Sequence, residues 1–123
     1  MNRIAKTVAI LGLLSTAAAA GEADVVDVRV TVEAGGTYRF DVAVRHDDTG
    51  WDHYADRWDV VGADGTVYGE RVLLHPHETE QPFTRSLGGV SVPEGVGEVI
   101  VRAHDKVHGL GGREMMVTLP GRQ

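Results

Sequence analysis

Hydrophobic and polar side chains alternate along most of the chain after residue 20. One face of the first extended segment carries only valines, at Val26, Val28, Val30 and Val32. A second segment repeats the pattern, with apolar residues at positions 38, 40, 42 and 44. A period of two residues is typical of a strand with one buried face. The pattern therefore predicts two strands joined by a turn at Gly35-Gly36.

Five further strands are predicted, with turn residues between them at regular spacing. Tyr54, Trp58 and Val60 indicate the third strand, whose Asp64-Gly65 turn predicts a hairpin to the fourth. The fourth to seventh strands are predicted over 66–74, 83–87, 99–103 and 115–119, with a glycine- and proline-rich connection over 88–97. Seven short strands in about a hundred residues favour an all-β, seven-stranded immunoglobulin-like antiparallel β-sandwich. A small closed barrel is the alternative.

The first twenty residues have a different pattern. Arg3 and Lys6 precede an apolar run over 8–14, and small residues end at Ala18-Ala19-Ala20. This order is typical of a cleaved secretory signal peptide, and the run is shorter than the roughly 20 residues of a membrane-spanning helix. We therefore predict a signal peptide over 1–20 and one domain over 21–123. The mature protein would be periplasmic or secreted, with no membrane span.

Composition narrows the classes of function. The chain has 18 acidic residues against 12 lysines and arginines, a formal net charge of −6, and it has no basic stripe. Such a surface repels phosphate backbones, so no nucleic-acid partner is expected. The absence of cysteine excludes disulfides, thiolate nucleophiles and thiolate metal ligands. Stability must come from core packing or from a bound ion.

All six histidines lie beside predicted strand ends. In a sandwich of alternating strands, the loops two-three, four-five and six-seven lie at the same end. Those loops carry His46, His53, His75, His77, His104 and His108, with the acidic residues Asp47, Asp48, Asp52, Glu78, Glu80 and Asp105 among them. Neutral imidazole is the commonest protein ligand for transition metals. A shared metal site is therefore predicted, with solvated loop histidines as the alternative.

Two of these loops resemble a known metal-binding region. The segment from His46 to Tyr54 resembles a His-x(5)-His-Tyr element, and the segment from Asp105 to Leu110 resembles a Cys-Asn-x-His-Gly-Leu element. Both elements belong to the superoxide reductases, the desulfoferrodoxin and neelaredoxin group, and the similarity spans roughly 44–112. The resemblance implies an immunoglobulin-like fold and an iron ion bound by His46, His53 and His108.

The chain departs from that family in three ways: the spacing between His46 and His53 is one residue longer, the family's first histidine has no counterpart upstream, and the cysteine ligand is absent. The family's iron has four histidines and an axial cysteine thiolate and reduces superoxide to peroxide, whereas Asp105 stands at the cysteine position here. The remaining ligands would come from Asp105 and from His75, His77 or His104. A carboxylate is a harder donor than a thiolate, so copper or zinc are alternatives to iron. A looser resemblance, to the carrier-binding subunit of periplasmic sulfur-oxidation systems, implies instead a non-catalytic module with a periplasmic protein partner.

Overall fold

Seven antiparallel strands form two sheets in residues 21–122, the part of the chain that the computed structural model describes. The strands are β1 Asp24–Val32, β2 Tyr38–Arg45, β3 Ala55–Val61, β4 Val67–Val72, β5 Phe83–Val90, β6 Glu98–Asp105 and β7 Met115–Thr118. One sheet has the order β1-β2-β5 and the other β4-β3-β6-β7. The predicted immunoglobulin-like β-sandwich is confirmed. The predicted signal peptide lies outside the described residues.

The first two strands show how the hydrophobic pattern becomes a core. In β2, Tyr38 to Val44 alternate buried apolar with more exposed positions, as predicted. In β1 the predicted face is wrong at its beginning, because Val25 is fully buried and Val26 only partly. The pairing of β1 with β2 shifts register between Val25 and Asp27. An extra residue at such a β-bulge moves the following side chains to the other face.

Several predicted strand boundaries also differ from the observed ones. β3 begins one residue later than predicted, and β4 is shorter at both ends. β5 continues to Val90, so residues 88–90 belong to a strand and not to the predicted connection. Val90 pairs with Tyr38, and a register shift in β2 accommodates the glycines before it. Pairing with a neighbouring strand therefore overrides the local preference of glycine for turns.

Trp58 lies at the centre of the core. Its side chain is fully buried in β3, where it packs with the aromatic and aliphatic side chains of both sheets, among them Phe40, Phe83 and Leu119. Tyr54, just before β3, is also buried. Both aromatic residues that indicated the third strand are therefore buried.

We expect Trp58→Ala to lower the free energy of unfolding by about 3–5 kcal/mol, because it removes a large buried side chain and leaves a cavity. Urea denaturation followed by circular dichroism measures the change. Trp51→Ala is the matched control: that side chain is 64% exposed, and its loss should change stability by no more than about 0.5 kcal/mol. Equal effects of the two substitutions would contradict the assignment of Trp58 to the core.

The loops that carry the histidines lie at the same end of the sandwich. The backbone amide of Lys106, after β6, donates to the carbonyl oxygen of Tyr54, before β3. The amide of His77, between β4 and β5, donates to the carboxylate of Asp48, after β2. Gly21, before β1, reaches the same place. The described residues include no helix long and apolar enough to cross a membrane.

Candidate metal centre

Two imidazoles and one carboxylate converge between the loops at this end. His46 follows β2, His53 precedes β3, and Asp105 ends β6. The Nε2 atoms of His46 and His53 are 3.2 Å apart. His53 Nε2 is 3.3 Å from Asp105 Oδ1, and His46 Nε2 is 4.0 Å from Asp105 Oδ2. These three residues can offer ligand atoms that all lie within 4.8 Å of one another.

A tight turn in the loop after β2 places His53 against His46. The amide of His53 donates to the carbonyl oxygen of Gly50, and the amide of Thr49 donates to the carbonyl oxygen of His53. Gly50 has a φ of 143°, a conformation that residues with a Cβ rarely adopt. The turn reverses the chain, and the two imidazole rings meet edge to face with centroids 4.7 Å apart.

Asp48 fixes the orientation of the His46 ring. Its Oδ1 lies 2.5 Å from His46 Nδ1 and also accepts a hydrogen bond from the amide of Ala55. Its Oδ2 accepts a 2.6 Å hydrogen bond from the amide of His77. Since the carboxylate is the acceptor, Nδ1 of His46 carries the proton, and Nε2 presents a lone pair to the centre. Histidines that bind metals commonly have such a carboxylate partner.

Asp105 presents an unpaired oxygen to the same centre. Its side chain is fully buried; Oδ1 accepts hydrogen bonds from the amides of Val107 and His108, whereas Oδ2 has no hydrogen-bond partner. Burial raises the pKa of this carboxyl, but those amides and the neighbouring imidazoles of His46 and His108 outweigh it and hold the pKa below its ordinary value. The Asp105 carboxyl is therefore ionised near neutral pH.

The atoms that converge are mainly acceptors. The carbonyl oxygen of Gly21 lies 3.2 Å from Nε2 of both His46 and His53. Together with the His46 lone pair and the unpaired oxygen of Asp105, this makes an electron-rich centre that favours a cation. An ion with bonds of about 2.0–2.1 Å in tetrahedral geometry separates its ligand atoms by about 3.3 Å. The 3.2 Å between the two imidazole nitrogens and the 3.3 Å from His53 to Asp105 Oδ1 are of this size, whereas His46 Nε2 lies 4.0 Å from Asp105 Oδ2.

His108 lies beside this group. Its Nδ1 is 3.2 Å from Asp105 Oδ1, and its ring centroid is 5.0 Å from that of His53. The ring also packs against the backbone of Gly21. Gly21 was not a candidate on sequence grounds, although its position directly after the predicted cleavage site was visible in the sequence.

The other three histidines lie outside the group. His104 Nδ1 is 2.6 Å from the carboxylate of Asp56. His75 and His77 pack against each other with ring centroids 4.7 Å apart. His77 is buried, stacks on Phe83 and has no hydrogen-bond partner at either ring nitrogen. The structure thus brings together His46, His53 and Asp105, with His108 adjacent.

Protonation of His77 makes the stability of the domain depend on pH. Burial, followed by the positive charges of Arg85 and His75, lowers the pKa of His77 below its ordinary value of 6.5. The unfolded chain therefore binds a proton at a higher pH than the folded domain does. This part of the stability is complete above pH 6.5 and falls as the pH decreases below it.

We expect His77→Phe to weaken the loss of stability between pH 6.5 and pH 5, since phenylalanine keeps the stacking on Phe83 and cannot be protonated. Urea denaturation at a series of pH values measures this in the metal-free protein. Leu74→Phe is the control, because Leu74 is 72% exposed and has no titratable group. An unchanged pH profile for His77→Phe would contradict the interpretation.

Comparisons with known proteins give a relative and a structural neighbour. No protein-family model matches the chain. A protein of Halomicrobium mukohataei named "Putative lipoprotein" is 49% identical over 96 residues, which are 78% of this chain and 47% of that protein. The chain thus spans about half the length of this relative. The fold is similar to a superoxide reductase (1Fe-SOR) from Giardia intestinalis, with 16% identity, a TM-score of 0.47, and coverage of 75% of this chain and 95% of that one.

Proposed function

We propose that this protein is an exported metal-binding β-sandwich that holds one ferrous ion with His46, His53 and Asp105. The observation that carries the proposal is the buried, unpaired Oδ2 of Asp105 beside two imidazole nitrogens. A buried ionised oxygen without a partner is costly, and a cation removes that cost. Two histidines and one carboxylate with open positions are the ligand set of non-haem ferrous sites.

His108 is proposed as a further ligand. Its ring already lies against Asp105 and next to His53, so a modest side-chain rotation would direct a nitrogen to an ion in the centre. The sequence resemblance supports the same residues, since it assigns iron to His46, His53 and His108. The resemblance favours iron over copper or zinc.

The ligand at position 105 decides which chemistry is proposed. Bound iron would supply a redox-active Lewis acid. The carboxylate of Asp105, however, is a harder and weaker donor than the cysteine thiolate of the family that the sequence resembles. The buried side chains of Asp48 and Asp105 hold their positions through backbone amides. We therefore propose metal binding, and not superoxide reduction, as the function of this arrangement.

Export is supported by the predicted leader and by the name of the relative from Halomicrobium mukohataei, a lipoprotein. We propose that the domain acts outside the cytoplasmic membrane.

Metal analysis tests the proposal. We expect the protein purified without oxygen to carry about one iron ion per chain. Ferrous iron at 100 times its Kd should stabilise the folded state by about 2.7 kcal/mol, which corresponds to a rise in Tm of roughly 10 °C or more. Zinc and cupric copper are tested in parallel. Protein indifferent to all three ions would overturn the proposal, and a clear preference for zinc or copper would overturn the assignment of iron.

A further inference from the structure

The carbonyl oxygen of Gly21 is part of the candidate metal centre. It lies 3.2 Å from Nε2 of His46 and 3.2 Å from Nε2 of His53. The ring of His108 lies where the side chain of residue 21 would begin. One backbone position therefore contacts three of the proposed ligands, and it lies at the start of the described residues.

Gly21 is also the residue that signal-peptide cleavage would expose. The predicted leader ends at Ala18-Ala19-Ala20, so processing converts the nitrogen of Gly21 from a peptide amide into a free amine. An amide nitrogen has no lone pair available for a metal, whereas an amine has one when it is neutral. Terminal amines have a pKa of about 7.7–8.0, so metal binding near neutral pH needs to displace the proton from this group at only a small cost.

We propose that leader removal completes the metal site, with the new amine and the carbonyl oxygen of Gly21 binding the same ion as His46, His53 and Asp105. The inference rests on the proposed function and adds a maturation step to it. The two donors belong to one residue and form a small chelate ring, which holds an ion more firmly than either donor alone. The precursor would then bind metal weakly, and the exported, processed protein would bind it tightly.

The absence of a side chain at Gly21 matters for its approach to His108. A Cβ at this residue would lie 2.7 Å from Cε1 of His108 and 3.0 Å from its Nε2. The absence of a side chain therefore allows the terminal residue to lie flat against the imidazole next to the centre.

The test uses the processed protein with its terminal amine either free or blocked. The full chain carries the substitution Lys106→Arg, is exported with its own leader, and is purified after cleavage; mass spectrometry identifies its first residue. Lys6 lies in the leader and Lys106 is the other lysine, so acetylation of this variant modifies the terminal amine alone. Cobalt(II) and ferrous ions are titrated into the free and the acetylated forms.

We expect acetylation to weaken metal binding at least about 10-fold, which is the smallest loss typical of removing a residue hydrogen-bonded to a metal ligand. The visible absorption of the cobalt(II) form should also change. Urea denaturation without metal should be unaffected. An independent measurement leaves the protein unmodified: bound metal should slow acetylation of Gly21 at least about 10-fold.

Equal affinities, equal spectra and no protection of the amine would overturn this inference and leave the proposed function intact. A processed chain that begins at a residue other than Gly21 would also overturn it. If neither the free nor the acetylated form binds metal, the proposed function itself fails.

Discussion

Replacing His53 with alanine is expected to weaken metal binding by more than about 100-fold. Loss of a residue that only hydrogen-bonds to a metal ligand lowers metal affinity about 10–100-fold, and loss of the ligand itself should cost more. His53 Nε2 lies close to both His46 Nε2 and the carboxylate of Asp105. Its side chain is 24% exposed, so its removal leaves the core intact. Competition titration with a chromophoric chelator measures the affinity, and denaturation of the metal-free protein measures the fold.

His75→Ala is the matched control for this substitution. It removes an imidazole from the same end of the sandwich, but one that lies outside the group of converging ligand atoms. We expect wild-type affinity for it. If the two variants lost affinity equally, metal would bind non-specifically to several histidines at this end. That result would contradict the assignment of the site to His46, His53 and Asp105.

Replacing Asp48 with alanine is expected to lower the free energy of unfolding by about 3–5 kcal/mol. Its buried carboxylate accepts hydrogen bonds from His46 Nδ1 and from the amides of Ala55 and His77. Three buried donors would lose their acceptor together, and the His46 ring would lose the contact that orients it. Metal affinity should therefore fall as well, by about 10–100-fold.

Asp47→Ala is the control, because the neighbouring carboxylate is exposed. Urea denaturation and metal titration are compared for the two variants. A stable Asp48→Ala domain that binds metal normally would show that the His46 ring does not depend on this carboxylate. Loss of stability with unchanged affinity would limit Asp48 to a role in the fold.

The alternation of apolar and polar residues was sufficient to predict the architecture. In β2 each predicted buried side chain is buried, since a strand with one solvent-facing side leaves a clear period of two. The prediction was wrong in β1, where a bulge between Val25 and Asp27 moves the first valines. The adjacent valines at 25 and 26 interrupt the alternation, but which of them faces the core depends on the pairing with β2.

The end of the sandwich that carries the histidines was also predictable, because strand direction alone decides which loops are neighbours. Which side chains meet was harder to predict. Asp48 was one of six acidic candidates in these loops, and its hydrogen bonds to Ala55 and His77 join residues that are 7 and 29 positions away. Contacts at such separations follow from loop conformation, which periodicity does not describe.

Gly21 illustrates a further limit. Its contribution is a backbone carbonyl, and sequence reasoning about metal sites considers side chains first. Its position after the predicted leader was the available signal. His104, by contrast, carried a strong side-chain signal, yet it pairs with Asp56. The identity of a residue therefore predicts its chemistry better than it predicts which residues it contacts.

The most direct test of the central claim is an anomalous difference map from crystals of the processed protein grown with ferrous iron. We predict one peak at the iron edge, bonded to Nε2 of His46, Nε2 of His53 and a carboxylate oxygen of Asp105 at about 2.0–2.2 Å. A map without a peak between these three residues, or with the ion bound elsewhere on the domain, would contradict the account.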